Sequence, residues 1–279
     1  MTRVLVTGGT GKTGSALVEL LRARNTPVRV ASRTPPPGPD TVRFDWHDPA
    51  THGPALHGID RIFLVPPLAT VDPMPHVGPF LDDAERLGVR RVVLLGSAVE
   101  LPNAPGALEL AARVRSTPGW AVLRASGFMQ NFLSPHPLGE RIRRHGEIRT
   151  AAGDGRLGWI DARDIAAVAA VLLSAPGIDQ GDHLLTGPKA LSYAEAATII
   201  TARTGRPVRT VRIGVDEQAA AYRAAGMPAD FAAALAAVEE SIRAGREDHV
   251  TTTVLDLTGR PPRSFPDFVT AHTAEWAPG

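Results

Sequence analysis

Residues 6–14 of the chain read VTGGTGKTG, which sets Gly8, Gly11 and Gly14 at intervals of three. The β-branched run RVLVTGG (3–9) leads into this stretch, and a segment with helically spaced apolar residues (12–24) follows it. Two kinds of phosphate loop contain such elements. An ATP-type loop needs a glycine five residues before that of Gly11-Lys12-Thr13. Val6 stands there, inside the strand, where it cannot begin to wrap amides around a phosphate. The glycine-by-threes pattern fits at every position. Gly8 allows a tight turn, Gly11 lets the backbone approach a pyrophosphate, and Gly14 lets the helix sit close to the strand. The alternative is a merely structural turn. The expected cofactor cradle is Gly8, Gly9, Thr10, Gly11, Lys12, Thr13 and Gly14, with the pyrophosphate on the helix N-terminus.

Such a loop requires a sheet, and the pattern supplies one. Strand-like runs at 27–33, 42–46, 61–67, 90–97 and 120–126 alternate with helical segments at 72–87 and 104–116. Continuous apolar strands between amphipathic helices predict a Rossmann-type, doubly wound parallel α/β sheet covered on both faces. Ligands of such sheets bind beyond the carboxyl ends of the strands. Past residue 135, prolines and glycines punctuate the chain. A helix over 161–174, a further sheet strand at 183–188 and a capping box at Ser192 and Glu195 then follow. The expected division is a dinucleotide-binding domain over 1–150. Residues 151–279 hold the last sheet elements, to about 188, and a smaller, mainly helical substrate-binding lobe closing over the strand ends.

At the end of the second strand an NAD-binding protein needs a carboxylate for the adenosine ribose. Here Ala31-Ser32-Arg33 occupies that place, and the next acidic residue is Asp40. A hydroxyl and a guanidinium suit a ribose 2′-phosphate, so NADP(H) is expected over NAD(H). A solvated Arg33 is the bland alternative. Lys12 either adds charge near the phosphates or is solvated.

Composition closes off other classes. Thirty basic residues against 29 acidic give a net charge of +1, so neither nucleic acid nor an anionic membrane is an expected partner. Absence of cysteine excludes disulfides and thiolate chemistry. No run approaches the roughly 20 apolar residues of a membrane span. The opening has no leader pattern, so the cytoplasm is the expected compartment. His47, His52 and His57 are five apart and share no helical face, so no metal site is assigned. The oligomeric state is left open. Many reductases of this fold use a Tyr-x-x-x-Lys pair, but only Tyr193 and Tyr222 occur, with Ala197 and Gly226 four positions on. Ser97 keeps the place of the helper serine.

Several segments together resemble the NmrA-like atypical short-chain dehydrogenase/reductases: VLVTGGTGKTG (4–14), SRTP (32–35), LRASGFMQNFL (123–133), AAGDGRLGWIDARDIAAVA (151–169) and LLTGPKALSYAEAA (184–197). Within that family the chain is similar to the ergot-alkaloid reductases. That likeness lies in RFDW (43–46), GIDRIFLVPP (58–67) with VDPM (71–74), GVRRVVLLGSA (88–98) and GMPADFAAALAAVEESIRAG (226–245). It implies that the cofactor ribose and nicotinamide pass Val65, Pro66 and Pro67, with Gly96 and Ser97 beside them. It also implies that residues 127–131 enter the substrate pocket, where Phe128 and Met129 form an apolar wall or are core, and Gln130 and Asn131 orient an amine or cap a helix. Trp159 is a further pocket candidate. Asp45 and Trp46 line the adenine edge or simply pack. The cluster Asp161, Arg163 and Asp164 and the arginines Arg141, Arg143 and Arg144 read as structural and solvated.

The resemblance further implies reduction of an iminium, whose carbon is already electrophilic and whose reduction needs no protein acid. The leading expectation is an NADPH-dependent reductase of a small secondary metabolite, acting on C=N+ or a similarly activated bond. Reduction of a quinone or enone on the same scaffold, and a non-catalytic NADP(H) sensor, are the alternatives.

Overall fold

The computed structural model describes residues 2–102, 104–174 and 180–276. Along the chain run β1 (Val4–Val6), α1 (Lys12–Ala23), β2 (Val28–Ser32), β3 (Thr41–Arg43), α2 (His52–Leu56), β4 (Arg61–Leu64), α3 (Met74–Arg86), β5 (Arg91–Ser97), α4 (Gly106–Arg115) and β6 (Ala121–Ala125). Then come α5 (Pro137–His145), β7 (Glu147–Thr150), β8 (Arg156–Leu157), α6 (Ala162–Ser174), β9 (Gly181–Leu185), β10 (Leu191–Ser192) and α7 (Tyr193–Thr204). The chain continues with β11 (Arg209–Arg212), α8 (Val215–Ala224), α9 (Ala229–Arg243), α10 (Thr253–Thr258) and α11 (Phe265–Ala271). Contacts group these elements into two compact units.

The first unit comprises Met1–Ser97, Pro105–Arg124 and Ala162–Leu184. Its sheet has the order β3-β2-β1-β4-β5-β6-β9, and β1 pairs in parallel with both β2 and β4. This is the doubly wound arrangement expected from the alternating pattern. Val4, Leu5, Val6, Ile62, Phe63 and Leu64 are all fully buried, as strands covered on both faces must be. α1 packs beside α6. Buried Arg91, at the start of β5, donates to the Leu172 carbonyl, and Arg61 of β4 donates to that of Leu173. Both carbonyls lie in the last turn of α6, where a helix hands its acceptors to donors outside it.

The second unit comprises Ala98–Ala104, Ala125–Asp161 and Leu185–Gly279. Phe132, Trp159, Phe265 and Trp276 lie in its apolar core. α7 begins with the expected capping box: Ser192 Oγ accepts from the Glu195 amide (3.2 Å), and the Glu195 carboxylate accepts from the Ser192 amide (2.9 Å). α7 packs on α11, and α8 on α9. β7 and β11 form a short parallel pair. The proline-rich stretch near 135, read from sequence as punctuation, instead starts a helix. Pro137 opens α5 at a position where a missing amide costs nothing, and His136 accepts from the Leu138 amide at 3.2 Å. The arginines of α5 pair with acidic neighbours: Arg143 and Arg144 with Glu140, Arg141 with Glu147.

Arg91→Met removes a buried charged donor from the Leu172 carbonyl at the end of α6. The expected loss is about 1.5–3 kcal/mol of stability, read as a lower urea midpoint at an unchanged slope.

Candidate nucleotide site and neighbouring clusters

β1 hands the chain to a loop that only glycine can build. Gly8 turns with φ +60°, and a Cβ there would stand 3.3 Å from Val65 Cβ. Gly9 donates to the Ala31 carbonyl at 2.9 Å, and a Cβ on it would lie 2.7 Å from Val30 Cγ1. The Gly11 amide closes the turn on the Gly8 carbonyl at 2.9 Å. At Gly14 a Cβ would fall 2.2 Å from that same Gly8 oxygen, so α1 rests directly on the loop. Gly11 caps α1 with extended backbone, no side-chain acceptor and no acidic residue in the first turn. The end of α1 thus presents amides and a positive dipole with no built-in anion.

The sheet order reverses between β1 and β4, which is where a doubly wound sheet opens its ligand crevice. Thr7 ties the two strand ends together. Its hydroxyl donates to the Phe63 carbonyl (3.1 Å) and accepts from the Val65 amide (2.7 Å). The Trp46 indole donates to the Val65 carbonyl at 3.1 Å and meets Phe44 and Phe80 edge-on, which favours packing as its role. Half-buried Pro66 and Pro67 follow. At the end of β2, Ser32 is buried and its hydroxyl shares a 2.9 Å hydrogen bond with Thr10 of the loop. Next to it, Arg33 is exposed and has no hydrogen-bond or ion-pair partner among the described residues. Desolvation lowers the Lys12 pKa below the usual lysine value. Gly96 closes on β6, where a Cβ would be 3.3 Å from Val122 Cγ1, and Ser97 after it is exposed. The structure therefore brings the loop, Ser32 and Val65 into one neighbourhood of the first unit.

In the second unit the candidates separate. Gly127 is pressed so tightly that a Cβ would lie 2.4 Å from Leu157 Cδ2 and 2.5 Å from Trp159 Cζ3. Met129, read from sequence as pocket wall or core, and Trp159, a pocket candidate, are 1% and 3% exposed and lie in the core cluster. Trp159 packs against Phe132 and Tyr193, and its indole donates to the Leu191 carbonyl at 3.0 Å. Gln130 is also buried, and its amide donates to Asp161 Oδ1 at 2.8 Å. Phe128 and Asn131 keep partial exposure. Sequence reasoning missed Thr7, whose role arises from contacts far along the chain, and it named Trp46 as adenine edge or packing without its bond to the Val65 carbonyl. It also missed Glu239, whose side chain in the alanine-rich α9 is 3% exposed. Among the described residues, no group of three or more His, Asp or Glu is placed to hold a metal, and no helix is long and apolar enough to cross a membrane.

Taken together, the sheet order, the glycine loop and the uncapped helix end define a Rossmann-type α/β fold with a candidate nucleotide site at the β1–α1 turn. Comparison with known proteins narrows this. No protein-family model matches the chain. Over 278 residues it is 45% identical to an uncharacterized oxidoreductase, YesF, of Bacillus subtilis, spanning 98% of this chain and 96% of that one. It is 37% identical over 287 residues to agroclavine dehydrogenase of Claviceps fusiformis, covering 98% of each. In fold it is similar to an Escherichia coli NADPH-dependent quinone oxidoreductase solved with NADPH. That likeness has a TM-score of 0.79 at 22% identity and covers 96% of this chain and 99% of the other. The chain belongs to the NmrA-like atypical short-chain dehydrogenase/reductase family, among the oxidoreductases that include the clavine dehydrogenases.

Gly14→Ala sets a methyl against the Gly8 carbonyl, and overpacking of this kind costs about 1–3 kcal/mol. Gly53→Ala, in α2 with nothing within 4 Å of an added Cβ, is the control. Chemical denaturation should show a lowered midpoint for the first and a wild-type or higher midpoint for the second.

Proposed function

We propose that this protein is an NADPH-dependent reductase that delivers hydride to an iminium, or a similarly activated double bond, of a small secondary metabolite. The observation that carries this reading is the cradle at the β1–α1 turn, with Arg33 standing unpartnered just past Ser32 at the end of β2. A dinucleotide fits those residues. Gly8, Gly9, Gly11 and Gly14 leave the turn short of side chains, and the α1 amides lie behind it without a side-chain cap. Arg33 is assigned to the ribose 2′-phosphate, since an exposed guanidinium offers paired donors where NAD would need a carboxylate. Ser32 shares a hydrogen bond with Thr10 and positions the loop, and with Thr10 as the donor its own O–H is left to donate to a phosphate oxygen. Val65, Pro66 and Pro67, with Gly96 and Ser97, are assigned to the ribose and nicotinamide end.

When bound, NADPH supplies hydride to the electrophilic carbon. The protein's own task is then to position the acceptor and exclude water. Neither tyrosine has a lysine four residues on, so the usual acid of this fold is missing from its expected spacing. Reduction of an iminium tolerates that loss, because the bond's π electrons become the lone pair of a neutral amine and no oxyanion forms. Phe128 and Asn131 of the second unit are assigned to substrate, and burial assigns Met129, Gln130 and Trp159 to supporting them. Similarity to an agroclavine dehydrogenase supports a nitrogen-containing acceptor, and the fold shared with a quinone oxidoreductase supports quinone reduction as the second reading.

NADPH oxidation, followed by absorbance against a panel of cyclic imines, quinones and enones, tests the reading. Turnover of imines is expected. Turnover of quinones or enones alone moves the assignment to the second reading, and tight NADP(H) binding without turnover on any acceptor overturns the enzyme in favour of a sensor. Arg33→Ala should raise the NADPH KM by roughly tenfold or more while leaving that for NADH unchanged. An unaltered cofactor preference sinks the 2′-phosphate assignment.

A further inference from the structure

Within the second unit, the turn after β7 and the end of α9 border an open cavity of about 450 Å³. Gly153, Asp154, Arg156, Arg212, Arg243 and Asp248 are among the residues that line it. The three arginines come from different elements: β8, β11 and the last position of α9. The turn itself is firmly held. The amides of Ala151 and Ala152 just before it donate to the buried Glu239 carboxylate, and the Gly155 amide closes on the Ala152 carbonyl at 3.0 Å. A Cβ on Gly155 would fall 2.0 Å from the Ile242 carbonyl oxygen, so the turn rests directly on the last turn of α9. The stem of Arg243 lies over Gly153, with its Cγ 3.5 Å from where a Cβ there would stand.

The cavity has a surplus of donors. A guanidinium carries five N–H groups, and each of the three arginines engages the chain through Nη2 alone. Arg212 Nη2 donates to both oxygens of Asp154 (2.8 and 2.7 Å), Arg156 Nη2 donates to Glu195 (2.9 Å), and Arg243 Nη2 stands 3.5 Å from Glu240. Nε and Nη1 of all three have no acceptor among the described residues. The amides of Gly153 and Asp154, at the centre of the turn, likewise have none. Of the two lining carboxylates, Asp154 is already paired, and Asp248 has no side-chain partner among the described residues. The Ser241 and Ile242 carbonyls at the end of α9 are closed by the Arg246 and Gly245 amides at 3.2 and 3.0 Å. Three guanidiniums against two carboxylates leave the lining positive. A carboxylate presents two oxygens in one plane, whereas a phosphate monoester presents three and a larger negative charge. Three guanidiniums from separate elements, together with two unspent turn amides, match the phosphate.

We propose that this cavity is a binding site for an organic phosphate, a phosphate monoester held by Arg156, Arg212 and Arg243 and by the amides of Gly153 and Asp154. The inference goes beyond the reductase reading, because it concerns the second unit alone and requires no hydride transfer.

The test is calorimetric titration of the full-length chain, with NADPH in excess, at low ionic strength and mildly alkaline pH. Phenyl phosphate, a dianion there, is compared with benzoate, a planar monoanion. The wild type should bind phenyl phosphate about tenfold more tightly than benzoate. Arg156→Gln and Arg243→Gln should each weaken phenyl phosphate binding roughly fivefold. Asp248→Asn removes an opposing charge and should strengthen it about twofold. All three residues are exposed, and a near wild-type thermal midpoint checks that each variant folds. Ion pairs with only a structural role would not move phosphate affinity in these opposite directions. Absence of saturable phenyl phosphate binding by the wild type overturns the proposal, and so does equal affinity for the two anions. An affinity indifferent to both arginine substitutions, or weakened by Asp248→Asn, overturns it too, since the anion then sits elsewhere. Heat of binding is read rather than turnover, so failure here is separable from failure of the reductase assay.

Discussion

The first unit depends on the approach of α1 to the carbonyl of Gly8. That oxygen accepts the Gly11 amide at 2.9 Å, and no side chain at position 14 could share the space. The contact fixes where the helix starts, how closely it lies on the sheet and which way its first amides aim. Everything assigned to the nucleotide follows from it. Displacing the helix by the width of a methyl would move the anion-binding end away from the strand ends that surround it.

This contact was legible because it is written in neighbouring residues. Three glycines at a spacing of three, between a strand run and a helix run, describe a turn whose partners lie within the same short segment. The sheet was legible for a similar reason, since apolar strands alternating with helices leave few arrangements open. What the pattern could not give was identity by distance. Nothing near Thr7 in sequence announces that its hydroxyl holds Val65, and nothing near Trp46 announces the same target. Met129 and Trp159 are ordinary apolar residues in sequence, and only packing against residues beyond 190 decides that they are core rather than wall. Pro137 misled because proline both breaks helices and begins them, and the difference lies in which amide goes unused.

Glu239 shows the limit most plainly. In sequence it is one of two adjacent glutamates in an alanine-rich helix, where the prior for a glutamate is a solvated face. Its neighbour Glu240 follows that prior and is exposed, forming only a 3.5 Å pair with Arg243. One step of helical rotation turns Glu239 inward, onto the turn after β7. Which side of the helix a glutamate occupies thus decides whether it is solvated or holds a buried turn.

The segment after β4 carries a consequence for recognition. Val65 spends its amide on Thr7 and its carbonyl on Trp46, and Pro66 and Pro67 possess no amide at all. Three consecutive residues after β4 therefore have no free N–H to offer. Such a stretch can meet a ligand by shape and apolar contact but cannot donate to an anion. In the reading proposed above, the amides open to a phosphate are those on the glycine side of β1, so the same chain segment that lacks donors also tells the two ends of a dinucleotide apart.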